Sequence, residues 1–265
     1  MSSLSSPQKS TVLIIEDSHL QAKIIRNHIQ LYTTFPVLMA HTLADAESVL
    51  TQYADTIYVA VIDLNLPDAP DGEAVDLCLS WKVPSVVLTA SFNEIIRNTF
   101  ISKCVVDYFF KGSIQDMNPM ITSMERIYHN QSVTVLVVDD SRSQRRQMRT
   151  LLEVQRLNVL EAADGVEALE VFAANPHVSL VITDFQMPHM DGLELIRELR
   201  NRYSGQQLAI IAVSAVGSGA LTAQFLKNGA NDFLTKPFEV EEFYWRVNQT
   251  LEMLDLLKSV RERNL

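Results

Sequence analysis

The sequence predicts an α/β protein built from two copies of one doubly wound unit, each a parallel sheet with helices on both faces, plus an extended C-terminal helix. Three observations carry this. Blocks of sequence recur in the same order at a nearly constant offset. Short apolar runs without polar alternation suit strands buried on both faces of a parallel sheet. Amphipathic helical segments separate those runs, and right-handed crossovers then place helices on both sides.

The repeat is read block by block. Val12-Leu13-Ile14-Ile15-Glu16-Asp17-Ser18 returns as Val135-Leu136-Val137-Val138-Asp139-Asp140-Ser141, an offset of 123. The run Asp63-Leu64-Asn65-Leu66-Pro67 returns as Asp184-Phe185-Gln186-Met187-Pro188, and 184 − 63 = 121. Val87-Leu88-Thr89-Ala90 matches Ala212-Val213-Ser214-Ala215, and Asp107 to Lys111 matches Asp232 to Lys236, both at offset 125. Four blocks in order mean duplication of a whole domain; the period is far too long for a solenoid.

Within the copies, the runs at 12–15, 59–62, 86–88, 135–138, 180–182 and 210–213 read as strands. Segments 21–31, 43–53, 143–154, 166–174 and 193–200 read as helices, and the fifth helix of the first copy is expected from about 113 to 129 with Pro119 in its first turns. Residues 1–10 form a polar, Ser-rich flexible tail without a signal-peptide pattern. The first domain is expected over 11–130 and the second over 131–265, with the last helix starting near 239. Asn130-Gln131-Ser132 leads straight into the next strand, with no Gly/Ser linker, which predicts close and partly fixed domains.

Composition bounds the function. A hydrophobic fraction of 47% and a charged fraction of 20% are ordinary for a globular protein. A net charge of -10 argues against a nucleic-acid partner, which needs a basic field. Cys78 and Cys104 sit among apolar residues and read as buried small hydrophobes. Residues 208–226 carry no charge over 19 positions, but a break of small and polar residues makes them strand, loop and helix rather than a membrane span. The expectation is a cytoplasmic protein with no membrane partner. Arg142, Arg145, Arg146 and Arg149 share the first helix of the second copy. They read as a solvated basic face or a dock for an acidic partner, because no aromatic platform accompanies them.

In open α/β sheets, ligands bind outside the C-terminal ends of the strands. The residues ending the apolar runs there are Glu16, Asp17, Asp63, Thr89 and Lys111 in one copy and Asp139, Asp140, Asp184, Ser214 and Lys236 in the other. Packed carboxylates raise each other's pKa values unless a cation joins them. A hard divalent ion such as Mg²⁺ satisfies that need with carboxylates, waters and phosphate oxygens. An aspartate beside such a site is a competent nucleophile toward phosphorus, and lysine and hydroxyl groups suit the phosphoryl oxygens.

These residues resemble the receiver domains of two-component response regulators, and the resemblance covers almost the whole chain. It implies two flavodoxin-like (βα)5 receivers, each a five-stranded parallel sheet of order 2-1-3-4-5. It implies that Asp63 and Asp184 accept phosphate, with a proline four residues on, and that Glu16-Asp17 and Asp139-Asp140 are the acidic pairs holding one Mg²⁺ per domain. Asn65 and Gln186 would add backbone carbonyls to that ion. Thr89 and Ser214 would be the strand-four hydroxyls, Lys111 and Lys236 the strand-five lysines, and Tyr108 and Phe233 the aromatic switch residues. A histidine kinase or phosphotransfer protein would be the donor. Partner binding or homodimer formation would go through helix four, strand five and helix five of a copy, or through the C-terminal helix.

Spacing separates the copies. The intervals acidic pair to phosphoacceptor, to hydroxyl, to lysine are 44, 30 and 22 in the second copy and 46, 26 and 22 in the first. The first copy also has Lys111-Gly112 where the second has Lys236-Pro237, whose bond in the family is usually cis. The second copy therefore fits the pattern better. In the last helix, Val247, Leu254 and Leu257 fall at heptad a/d positions, so the excess length suggests a short coiled coil. Similar proteins often continue into a GGDEF-type diguanylate cyclase domain, which these residues do not include; the chain itself is expected not to be an enzyme beyond its own phosphorylation chemistry. Two other readings stay open. One is a phosphate-independent scaffold with a degenerate first copy. The other is an aspartate-nucleophile phosphatase of the haloacid-dehalogenase type, disfavoured by Asn65 and Gln186 where that class needs a second aspartate.

Overall fold

The computed structural model describes residues 8–89, 98, 103, 105–111, 117–215, 217 and 219–263. The chain divides into two compact units, Met1–Gln131 with Val154–Arg156, and Ser132–Glu153 with Leu157–Leu265.

The first unit holds β1 (Thr11–Ile15), α1 (His19–Tyr32), β2 (Val37–Ala40), α2 (Leu43–Tyr53), β3 (Ile57–Asp63), α3 (Glu73–Ser80), β4 (Ser85–Thr89), β5 (Asp107–Phe110) and α4 (Asn118–Asn130). The second holds β6 (Thr134–Val138), α5 (Arg142–Val154), β7 (Asn158–Ala162), α6 (Gly165–Ala174), β8 (Val178–Asp184), α7 (Gly192–Arg200), β9 (Ala209–Ser214), α8 (Gly219–Lys227), β10 (Asp232–Thr235) and α9 (Val240–Arg263). Both sheets are parallel, ordered β2-β1-β3-β4-β5 and β7-β6-β8-β9-β10, so both have the expected flavodoxin-like order. Equivalent strands even share a register irregularity, between Thr11 and Val12 and between Thr134 and Val135.

Alternation along each central strand feeds two cores. Leu13 and Ile15 pack with Leu50, Val75 and Cys78 on one face of the first sheet, while Val12 and Ile14 pack with Ile25, Ile29 and Met124 on the other. In the second unit Val135 and Val137 meet Met148, Phe243 and Val247, and Leu136 and Val138 meet Phe172, Ile196 and Phe225. Strands buried on both sides cannot carry polar residues internally, so polarity is confined to their ends.

Local chemistry starts the helices close to those ends. Ser18 caps α1 and Thr42 caps α2 by accepting from Gln21 N and Asp45 N. Asp164 caps α6 through two backbone N–H groups, and Asp191 with Glu194 forms a full capping box on α7. Such caps are typically worth about 1 kcal/mol each.

Several expectations are refined. The α4 helix begins at Asn118, with Pro119 in its first turn; the earlier residues 112–116, including Gly112, lie outside the described residues, as do Ala90 and Cys104. Cys78 is fully buried. The uncharged run resolves into β9 and α8, and among the described residues no helix is long and apolar enough to cross a membrane.

The proposed coiled-coil seam needs correction. Val247 and Leu254 are each 2% exposed and pack with Leu251 in the second unit's own core. A residue spent on covering its own sheet is not available to a partner helix. The exposed apolar residues of α9 are instead Trp245, Met253, Leu256 and Val260. With 24 residues the helix is about 36 Å long.

Candidate phosphoacceptor sites

Each site assembles at the C-terminal edge of a sheet. In the first unit Glu16, Asp63 and Thr89 are buried where β1, β3 and β4 end, and Lys111 follows β5. Lys111 Nζ lies 2.8 Å from Glu16 Oε2 and 2.7 Å from Asp63 Oδ2. It also donates to Gln21 Oε1 at 3.0 Å. In the second unit Lys236 Nζ lies 2.5 Å from Asp139 Oδ2 and 2.5 Å from Asp184 Oδ1. The lysine backbone is held in step by the sheet: Lys111 N donates to Thr89 O and Lys236 N to Ser214 O, at 2.7 and 2.8 Å.

Short turns fix the carboxylates. Asn65 N donates to Asp63 Oδ1 at 3.2 Å, and Gln186 N to Asp184 Oδ2 at 2.9 Å. Ser18 N donates to Glu16 Oε1, and Ser141 N to Asp139 Oδ1. The two copies thus build the same hydrogen bonds, a sign that the duplication kept the local geometry around these carboxylates and not only the fold.

The electrostatics follow from burial. Desolvation raises the pKa of Glu16 and of Asp184 above the ordinary carboxylate range, although the neighbouring lysine opposes the rise. Burial alone would lower Lys111 and Lys236, but hydrogen bonds to two carboxylates outweigh it and both are raised. Each lysine therefore stays charged.

The sites differ at the second acid of the pair. Carboxylate oxygens of Glu16, Asp17 and Asp63 lie within 4.8 Å of one another, and this is the one such trio among the described residues. Three hard oxygen donors with no sulfur or nitrogen suit Mg²⁺ or Ca²⁺ rather than a soft metal. Asp140 is exposed, as is Asp17, but Asp139, Asp140 and Asp184 do not gather to that distance. The copy with the less regular spacing thus has the tighter acidic cluster. Conversely, the Lys236-Pro237 bond is cis, as the resemblance implied.

The aromatic positions also differ. Phe233 is 7% exposed and stacks on Phe225 with ring centroids 5.6 Å apart, whereas Tyr108 is half-buried at the edge of the first core. Thr89 and Ser214 are both buried.

Sequence reasoning overlooked two supporting residues. Gly192 starts α7 so close to the site that a Cβ there would meet the Asp184 carbonyl oxygen at 2.0 Å. The repeat carried a signal for it, since Asp71-Gly72 echoes Asp191-Gly192. Arg145 donates to the carbonyl oxygens of Asp139 and Asp140 from α5, and no pattern in a single sequence marks that contact.

Comparison with known proteins bears on the family and the fold. The response regulator receiver domain profile matches residues 135–248. A chemotaxis protein CheY homolog of Campylobacter jejuni is 41% identical over 105 residues, covering 39% of this chain and 81% of the relative. The chain belongs to the response regulator receiver family. Response regulator MprA of Mycobacterium ulcerans is 41% identical over 125 residues, 47% of this chain and 53% of that protein. The chain thus matches about half the length of that relative. A crystal structure titled a putative two-component system response regulator/GGDEF domain protein superposes at a TM-score of 0.82 with 41% identity, covering 93% of this chain and 100% of the other. A second structure, of a probable protein of the same description, gives 0.81 over the same coverage. The likeness therefore extends through the first unit, and both units have the receiver fold. Receivers bind Mg²⁺ at an acidic pocket of this kind and receive phosphate from histidine kinases or phosphotransfer proteins.

Proposed function

We propose that Asp63 and Asp184 are the phosphoacceptors of two working receivers, each with one Mg²⁺ site. The observation that supports this most is the lysine bridge. In each unit one ammonium joins the phosphoacceptor to the buried member of the acidic pair, at 2.5 to 2.8 Å.

The chemistry is an in-line transfer. A carboxylate oxygen of Asp63 or Asp184 attacks phosphorus while the P–N bond to the donor's histidine breaks; the imidazole leaves with the electron pair and is reprotonated from water. The carboxylate must be ionised, and the lysine favours that state. Glu16, Asp17 and Asp63 in the first unit, and Asp139, Asp140 and Asp184 in the second, would hold the ion, with Asn65 and Gln186 beside them. Bound there, Mg²⁺ supplies charge neutralisation for the phosphoryl oxygens. Lys111 and Lys236 then pair with one phosphoryl oxygen, and the Thr89 and Ser214 hydroxyls donate to another.

Output follows from a population shift, since the phosphate binds one state better. Movement of Thr89 with Tyr108, and of Ser214 with Phe233, reshapes the face beside the fifth strand. In the second unit this face, between α8, β10 and α9, carries a cleft of ≈ 440 Å³ lined in part by Phe233, Thr222, Leu226 and Arg246. We assign partner or second-copy docking to it, in a cytoplasmic protein that can drive a GGDEF-type output domain.

The deciding experiment is intact-mass analysis after incubation with Mg²⁺ and acetyl phosphate. The wild type should gain up to two phosphoryl groups, Asp63→Asn and Asp184→Asn at most one each, and the double variant none. No gain in the wild type, or a gain persisting in the double variant, defeats the assignment.

A further inference from the structure

Arg142, Arg145, Arg146 and Arg149 stand at positions i, i+3, i+4 and i+7 of α5 and so share one helix face. With Ser143 and Glu161 they line a concavity of ≈ 600 Å³. Glu161 pairs with Arg149 at 2.7 Å and lies 4.0 Å from Arg145, and Glu153 also takes Arg149. Arg142 and Arg146 are exposed and make no ion pair among the described residues. Four guanidiniums thus face one carboxylate in the lining, in a chain whose net charge is -10.

The duplication supplies an internal control. At offset 123 the first unit has His19, Ala22, Lys23 and Arg26 at these positions. The register pair Ile14↔Met39 in the first sheet corresponds to Val137↔Glu161 in the second. Ala22 and Met39 belong to one apolar cluster of the first unit. The second unit thus carries the charged residues Arg145 and Glu161 where the first has the apolar Ala22 and Met39.

We propose that this groove binds a small ligand carrying two or more phosphate groups. The volume is that of a small-molecule site. Arg142 and Arg146 lie one turn apart, so their planar forks can grip adjacent phosphates. The net charge of -10 disfavours an extended polyanion such as nucleic acid, which limits the ligand to one that fits inside the groove.

The test is isothermal titration calorimetry on the full chain, without divalent cations, using inorganic pyrophosphate and orthophosphate as probes. Pyrophosphate should bind saturably to one site and more tightly than orthophosphate. Arg142→Ala/Arg146→Ala should weaken it at least tenfold with an unchanged thermal unfolding curve, and Lys23→Ala in the first unit should leave it unaltered. Absence of saturable heat in the wild type overturns the proposal, as does binding that survives the double substitution. Tighter, arginine-dependent binding of poly-glutamate would overturn it in favour of an acidic protein partner. None of these readouts depends on phosphorylation of Asp63 or Asp184.

Discussion

One ammonium bridges two carboxylates in the second receiver: Lys236 Nζ sits 2.5 Å from both Asp139 Oδ2 and Asp184 Oδ1, with Asp139 almost fully buried. Removing it leaves two desolvated acids without a counter-charge. Truncating one partner of a buried ion pair costs about 3 kcal/mol or more, because the remaining charge stays unpaired. Lys236→Ala should lower the unfolding free energy of the second unit by that amount without Mg²⁺, and with it the urea midpoint, and added Mg²⁺ should restore much of it. Urea unfolding followed by circular dichroism with and without the ion checks this; an unchanged midpoint would mean that the lysine bridge carries no stability.

Gly192 and Gly72 occupy matched places for different reasons. At Gly192 a Cβ would sit 2.0 Å from the Asp184 carbonyl, so any side chain must push α7 off the site. At Gly72 the backbone has φ +79, and the closest atom to a Cβ is a Leu64 side-chain carbon at 3.3 Å. Asparagine tolerates the left-handed region, whereas it brings a Cβ like any other residue. Gly72→Asn should therefore cost well under 1 kcal/mol beyond its contact, while Gly192→Asn should cost about 1–3 kcal/mol through overpacking and slow phosphorylation of Asp184. Equal destabilisation in paired denaturation curves would remove the distinction.

How far the sequence carries is clear from individual residues. Both lysine bridges and the buried hydroxyls of Thr89 and Ser214 were legible because each residue sits at the end of an apolar run and recurs in the second copy, whereas the strand order came from the family resemblance. The α9 seam was misjudged because heptad spacing and the stripe that covers a sheet use the same periodicity, and Val247 and Leu254 were taken by the sheet. How closely the carboxylates of each acidic cluster gather was not legible at all. It depends on where the carboxylates of Asp17 and Asp140 point, which spacing along the chain does not encode.

That difference predicts unequal metal binding. Asp17 and Asp140 are both exposed, but only Asp17 joins its partners, Glu16 and Asp63, within 4.8 Å. A site whose ligands are already gathered loses less ordering entropy on binding. Calorimetric titration with Mg²⁺ should show two sites, the tighter one abolished by Asp17→Asn and the weaker one by Asp140→Asn. Loss of the tighter site in Asp140→Asn instead would reverse the assignment.

The last prediction concerns Cys78, which packs with Val75 and Val83 in the core beside α3. Burial pushes its thiol up from 9.0 to about 12. The thiolate is the reactive form, so the folded chain should resist alkylation at Cys78 at pH 8 while the urea-unfolded chain reacts fully. The same shift sets a stability window. The folded state holds the thiol proton more tightly than the unfolded state, so its contribution is fully present below pH 9, falls as pH rises, and is lost by about pH 12. Across that range each pH unit removes up to about 1.4 kcal/mol. Cys78→Ala should flatten the fall in stability of the first unit between pH 9 and pH 11, at the cost of a small cavity. Iodoacetamide labelling read peptide by peptide, and urea midpoints at those two pH values, test both halves; rapid native labelling of the Cys78 peptide would show that the core around α3 opens far more readily than its packing implies.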